Sequence, residues 1–224
     1  MLHNILEQLR THEAAYERAP HAVSLLAVSK TQSAEKIRTI YNQGQRLFGE
    51  NYLQEALDKM ADLTDCDIEW HFIGPIQSNK TKKIAEHFAW VQSVENEKIA
   101  RRLSEQRPLH LPPLNICIEV NIDNEPTKHG VLPQEVFPLL DLCHALPHLA
   151  LRGLMTIPML TESFAAQCAA FHQMSVLWQA CKERLRHDPL FDTLSMGTSV
   201  DFKAAIKEGA TMVRLGSALF GERL

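Results

Sequence analysis

The sequence predicts an α/β chain folded as a single (β/α)8 barrel, on three observations. Eight short apolar runs of strand length recur along the chain, and a stretch with helical character divides each run from the next. Eight such units fit within 224 residues, the lower size range of that barrel. No Gly/Ser-rich linker or low-complexity segment splits the chain, so residues 1–224 read as one domain. Strands separated by helices pair in parallel, because a parallel pair needs a crossover connection. A doubly wound open sheet meets the same pattern, since periodicity does not register closure.

Each element follows from local pattern. Residues 2–19 place apolar Leu2, Ile5, Leu6 and Leu9 at helical spacing, which predicts an N-terminal helix within residues 1–20 that packs on the barrel. VSLLAVSK (23–30) is the first strand. Ser33 can cap the next helix, with Glu35 in its first turn. LFGE (47–50) is the second strand and 52–63 a helix. EWHFIG (69–74), a helix at 79–88, WVQSV (90–94) and a helix at 96–106 continue the alternation. LNICIEVN (114–121) is the fifth and clearest strand, and Pro133 suits the first turn of a helix reaching Ala145. LALRGLMTI (149–157) is the sixth strand, followed by a long helix at 163–186. TLSMG (193–197) and MVRLG (212–216) close the set, with a short helix at 200–208 between them that stops near Gly209.

Composition narrows the function. Hydrophobic residues at 45% and charged residues at 22% are values of a globular chain, not a disordered one. Against 27 acidic residues stand 23 basic ones, so no broad basic surface points to nucleic acid. No run of about 18 apolar residues spans a membrane. The N-terminus is polar and lacks a secretory core. Five cysteines (Cys66, Cys117, Cys143, Cys168, Cys181) contain no CxxC pair, which argues against disulfides and cysteine-rich zinc sites and for a cytoplasmic location. No GxGxxG or GxxxxGK[ST] motif supports nucleotide binding.

In a parallel barrel, function collects where strands end and helices begin. Those positions here are Lys30, Asn51, His71, Ser93, Asn121, Met155, Ser199, Arg214, Gly216 and Ser217. Lys30 ends an apolar strand and shares a face with Leu26 and Val28 by alternation. Desolvation lowers an amine pKa and leaves more of the neutral nucleophile, whose natural reaction is imine formation with an aldehyde. The plainer reading is a lysine snorkelling to the rim. Gly197 with Ser199, and Gly216 with Ser217, form two glycine/hydroxyl loops after strands seven and eight, where barrels commonly hold phosphate. Either loop alone reads as an ordinary turn.

An amine and a phosphate cradle in one barrel mouth suggest pyridoxal 5′-phosphate. Arg214 shares the strand face of Gly216 and can reach the ring nitrogen of that cofactor. Guanidinium is always a donor, so it would keep that nitrogen unprotonated and weaken the ring as an electron sink. The alternative for Arg214 is an ordinary ion pair with a carboxylate such as Glu119. Other features read as structural. Pro147 separates His144 from His148, Arg101, Arg102 and Arg107 read as a solvated basic face, the three tryptophans read as packing, and Asp201 serves a helix start.

LLAVSK, FGENYLQE, WHFIGPIQSNK, RGLM, LSMG and MVRLGSALFG, in this order from about Val23 to the C-terminus, resemble the YggS/PROSC family, the pyridoxal phosphate homeostasis proteins. The resemblance implies a barrel similar to the N-terminal domain of alanine racemase, a fold-type III cofactor domain. It implies Lys30 as the Schiff-base lysine, Ser199, Gly216 and Ser217 as phosphate contacts, and Arg214 facing the pyridine nitrogen. Asn51 and Met155 map onto positions lining the cofactor, and His71 and Ser195 lie at neighbouring strand ends. Three positions depart from the family pattern: Ser33, Thr156 and Thr198, the last beside the phosphate loop.

The expected function is intracellular vitamin B6 homeostasis without robust turnover, with indirect effects on amino-acid metabolism. No catalytic residue or metal ligand is assigned. A two-base racemase needs a second acid/base group on the opposite cofactor face. The chain ends eight residues after Gly216, and its tyrosines (Tyr16, Tyr41, Tyr52) all come early. Two enzymatic readings compete, a weakly active amino-acid racemase and a cofactor-free aldolase using Lys30. The expected partners are the small-molecule cofactor and its apo-enzymes, with a monomer as the oligomeric state.

Overall fold

In a computed structural model describing residues 1–221, eight parallel strands close into a barrel in sequence order. The strands are β1 (Ser24–Val28), β2 (Leu47–Glu50), β3 (Glu69–Phe72), β4 (Trp90–Val94), β5 (Leu114–Glu119), β6 (Leu149–Met155), β7 (Thr193–Ser195) and β8 (Met212–Leu215). Closure is made by β1, which pairs with β2 on one side and β8 on the other, with Leu26 opposite Arg214. The expected (β/α)8 architecture is therefore the one observed, and the open sheet is excluded.

The helices are α1 (Leu2–Ala15), α2 (Ala34–Asn42), α3 (Leu53–Asp62), α4 (Thr81–His87), α5 (Glu97–Gln106), α6 (Val136–Ala145), α7 (Phe164–Arg184), α8 (Phe202–Lys207) and α9 (Ser217–Phe220). Side-chain caps start three of them. Ser33 accepts from Lys36 N–H, Asn96 from Ile99 N–H and Ser163 from Ala166 N–H, each satisfying an otherwise orphaned donor. The Pro133 turn is 3-10 rather than α-helical. The short α9 begins immediately after β8, where the sequence pattern marks only a loop.

Most apolar burial lies between the strands and the helical ring, around Phe48, Phe88, Phe171 and Phe191. The barrel interior is separate and holds two smaller apolar groups. Leu26, Ile73 and Met212 form one, and Trp90, Cys117 and Met155 the other.

Helix α1 buries Leu2, Ile5 and Leu9 and sets His12 edge-on against Phe202 at 5.8 Å. It stops at Ala15 rather than at residue 19, because the backbone turns left-handed at Glu17 (φ 53°) ahead of Pro20. The strands are likewise shorter than their apolar runs. β1 ends at Val28, so Lys30 stands on the loop beyond it.

Candidate functional site

A cavity of about 410 Å³ opens at the C-terminal end of the barrel, a volume suited to one small ligand. Lys30, Asn51, Ser199, Arg214, Gly216 and Ser217 all line it. The amine and both glycine/hydroxyl loops thus face one space, because β1 and β8 are hydrogen-bonded neighbours.

The Lys30 turn is held from below. Thr31 takes a left-handed conformation (φ 66°), and its N–H donates to Glu55 Oε1 at 2.6 Å. The buried Lys59 ammonium spans the Ser29 carbonyl, Glu50 Oε1 and Glu55 Oε1, and the Ser29 hydroxyl donates to Glu50 Oε1. Burial raises the Glu50 pKa, while the Lys59 and Ser29 hydrogen bonds oppose that shift. Next to Glu50, Asn51 leaves its buried Oδ1 without a partner, an acceptor available to a polar group in the cavity. Gly74 makes room for the Asn51 backbone, since a Cβ there would lie 2.1 Å from the Asn51 carbonyl oxygen.

The β7 loop turns at Gly197, whose φ of 94° suits glycine and whose added Cβ would meet Ala205 at 2.6 Å. Asp201 accepts from both the N–H and the hydroxyl of Thr198, and Ser199 Oγ accepts from Ala218 N–H in α9. The Thr198 hydroxyl thus adds a second bond to Asp201 within this loop. Asp201 serves the loop rather than capping α8.

Arg214 is 4% exposed, and burial lowers its pKa to about 10, so it stays charged at neutral pH. It donates to Ser195 Oγ at 2.8 Å and to the Thr156 carbonyl at 2.7 Å. The ion pair with Glu119 weighed from sequence does not form: among the described residues no carboxylate lies within 4.0 Å of Arg214. Thr156 is fully buried and also donates through its hydroxyl to the Val120 carbonyl.

Three of the nine expected site residues, His71, Met155 and Ser195, do not line the cavity. Each is fully buried in the barrel interior. Met155 packs with Trp90 and Cys117, His71 stacks on Trp90 at 5.0 Å, and Ser195 supports Arg214. Of the other strand-end residues, Ser93 donates to the Gly74 carbonyl, and Asn121 brackets Glu125 with two bonds that shape its own loop. Reasoning from the sequence missed Ile73, Lys128, Ile157 and Leu160, which also line the cavity. Lys128 latches two loops together through the Ile157 and Pro158 carbonyls (3.3 and 3.0 Å). Ile157 at the end of the sixth apolar run and Leu160 just past it are the signal that was available.

These features define a class, a small-molecule-binding barrel with an amine and an anion-compatible rim at its C-terminal mouth. The family described as alanine racemase, N-terminal domain, matches residues 3–224. A pyridoxal phosphate homeostasis protein from Pseudomonas aeruginosa is 53% identical over 219 residues, covering 98% of this chain and 93% of the relative. One from Vibrio cholerae is 48% identical over 226 residues, covering 99% and 94%. The chain belongs to the pyridoxal phosphate homeostasis protein family, within the alanine racemase N-terminal domain family. Among solved structures, PipY of Synechococcus elongatus with PLP bound aligns with a TM-score of 0.82 at 36% identity, over 95% of this chain and 100% of that one. Alanine racemase from Corynebacterium glutamicum aligns at 0.66 with 18% identity, over 97% of this chain and 62% of that one, a likeness of fold alone.

Proposed function

We propose that this chain binds pyridoxal 5′-phosphate in the C-terminal cavity and serves cytoplasmic vitamin B6 homeostasis without substantial turnover. The observation that carries the reading is the single cavity shared by Lys30 and the loops after β7 and β8. The residues fit the cofactor: an amine, a glycine/hydroxyl rim, a buried arginine and an unpartnered Asn51 acceptor all face one space. The names of the relatives and the PLP-bound neighbour support it.

When bound, the cofactor supplies an aldehyde open to amine attack and a phosphate dianion. Lys30 provides the amine. Ser199, Gly216 and Ser217 hold the phosphate through hydroxyl and backbone groups. Arg214 would face the pyridine nitrogen as a donor and would keep it unprotonated, which suits storage better than carbanion chemistry. His71, Met155 and Ser195 act from beneath, by shaping and supporting the floor.

The titratable groups lining the cavity are Lys30, Lys128 and Arg214, and Lys128 is engaged with two carbonyls. No helix among the described residues is long and apolar enough to cross a membrane. The five cysteines are free thiols, which suits a reducing compartment. The proposed recipients are PLP-dependent apo-enzymes, served by a monomeric carrier.

The purified protein is expected to be yellow, with the colour lost on borohydride reduction and the mass adduct on Lys30. Lys30→Ala should remove the absorbance without unfolding the chain. An adduct on Lys80 or Lys203 would overturn the assignment. Alanine racemisation at about 1 s⁻¹ or faster, the low end of enzymatic turnover, would overturn the non-catalytic role.

A further inference from the structure

Beneath the cavity a line of buried polar side chains crosses the barrel from β8 to β3. Arg214 NH1 donates to Ser195 Oγ at 2.8 Å. Ser195, having accepted there, donates to Gln92 Oε1 at 2.6 Å. The Gln92 amide therefore turns its Nε2 toward His71 Nδ1, 2.9 Å away. His71 Nδ1 must accept, so its proton sits on Nε2 and points to Glu69 Oε1 at 3.2 Å. Burial of His71 favours the neutral ring that this tautomer requires. Four hydrogen bonds thus run in one direction, from a guanidinium at the cavity to a half-exposed carboxylate at the N-terminal end of the barrel.

Packing alone does not call for this arrangement. An apolar filling would close the interior, as Leu26, Ile73 and Met212 do nearby. The buried Arg214 has no carboxylate within 4.0 Å among the described residues; the charges of Glu119 and Asp201 act on it from further off, and its direct contacts are the Thr156 carbonyl and the Ser195 hydroxyl that heads the line ending on Glu69. With NH1 bound to Ser195 and NH2 to Thr156, two of its five N–H donors are spoken for, and the guanidinium plane is held in place.

We infer that Glu69 and His71 are positioning residues for Arg214, acting through Gln92 and Ser195 to set how the guanidinium is presented to a ring nitrogen in the cavity. The ligand half of the inference rests on the cofactor reading above; the arginine half does not. The chain links residues on opposite sides of the barrel, and each member's donor or acceptor role follows from its neighbour's.

The test is heteronuclear NMR on full-length protein carrying 15N-arginine and 15N-histidine, with and without PLP labelled at its pyridine nitrogen. Wild-type His71 is expected as the neutral Nε2–H tautomer. Glu69→Gln, a change at a half-exposed side chain, and Gln92→Leu, which cuts the chain, should both shift the Arg214 guanidinium signals in the ligand-free protein. Both should move the pyridine nitrogen signal of bound PLP, and Gln92→Leu should weaken PLP binding about fivefold to tenfold, the worth of one interior hydrogen bond. Arginine and pyridine signals unchanged in folded Glu69→Gln overturn the inference, as does a His71 protonated on Nδ1. If Gln92→Leu does not fold, Glu69→Gln decides. Arginine shifts without any PLP binding support the positioning role and overturn the cofactor reading instead.

Discussion

Glu119 closes β5 with 8% of its surface exposed, and burial, with the charge of Glu95 adding to it, raises its pKa to about 7. In the unfolded chain the same carboxyl titrates near 4.5. A folded pKa above the unfolded one stabilises the fold at low pH, and that contribution is lost as pH rises from 4.5 through 7. Glu119→Gln should therefore stabilise the protein at pH 8 relative to its effect at pH 4.5, by up to about 3 kcal/mol in paired urea melts. An equal effect at both pH values would mean that the carboxyl is not buried as described. The same scale explains the unequal fate of the strand-end residues. Alternation predicts which face a side chain takes but not its depth along the barrel axis. His71 and Ser195 face inward with the cavity residues yet sit one layer below them.

Among elements, α1 is tied down by a charged residue on its own buried face, four positions after Leu9. Glu13 is 1% exposed and accepts the backbone N–H groups of His21 and Val23, at 3.1 and 2.8 Å, while pairing with Arg10 at 3.0 Å. Arg18 continues the tether through the carbonyls of Ile206 and Ala210. The N-terminal helix is thereby fastened to the entry of β1 and to the end of α8 and the turn into β8. Glu13→Ala strands one buried and one part-buried backbone donor and a cation, and should cost about 3 kcal/mol of stability. Glu13→Gln, which keeps an acceptor, should cost less. Equilibrium urea unfolding checks both, and a loss below about 1 kcal/mol for Glu13→Ala would mean that the tether is not made. Periodicity puts Glu13 on the buried face but gives no hint of the tether, because its backbone partners lie beyond its own helix.

At the scale of the molecule, deeply buried thiols lie both in the barrel interior, Cys117, and in the layer between strands and helices, Cys143 and Cys181. Burial raises Cys117, Cys143 and Cys181 from 9.0 to about 12. Above pH 9 the unfolded chain releases these protons while the native state keeps them, so stability falls from pH 9 toward 12. Urea midpoints should drop steeply between pH 9 and 10.5, and Cys143→Ala should flatten that slope by about a third. A flat profile would mean that the thiols are solvated.

Much of the molecule was legible in its order of residues. Apolar runs alternating with helical stretches specified eight βα units, and Ser33 marked a helix start. A lysine after the first strand and glycine/hydroxyl pairs after the last two pointed to the mouth, since those signals are local in sequence and are made by backbone geometry. Closure was decided only in three dimensions, where β1 meets β8 and brings Lys30 beside Gly216. So was the floor beneath the cavity, where Glu69, His71, Gln92, Ser195 and Arg214 join across the barrel. Contacts between residues more than a hundred positions apart leave no period in the chain, because they depend on how far each side chain sits along the barrel axis.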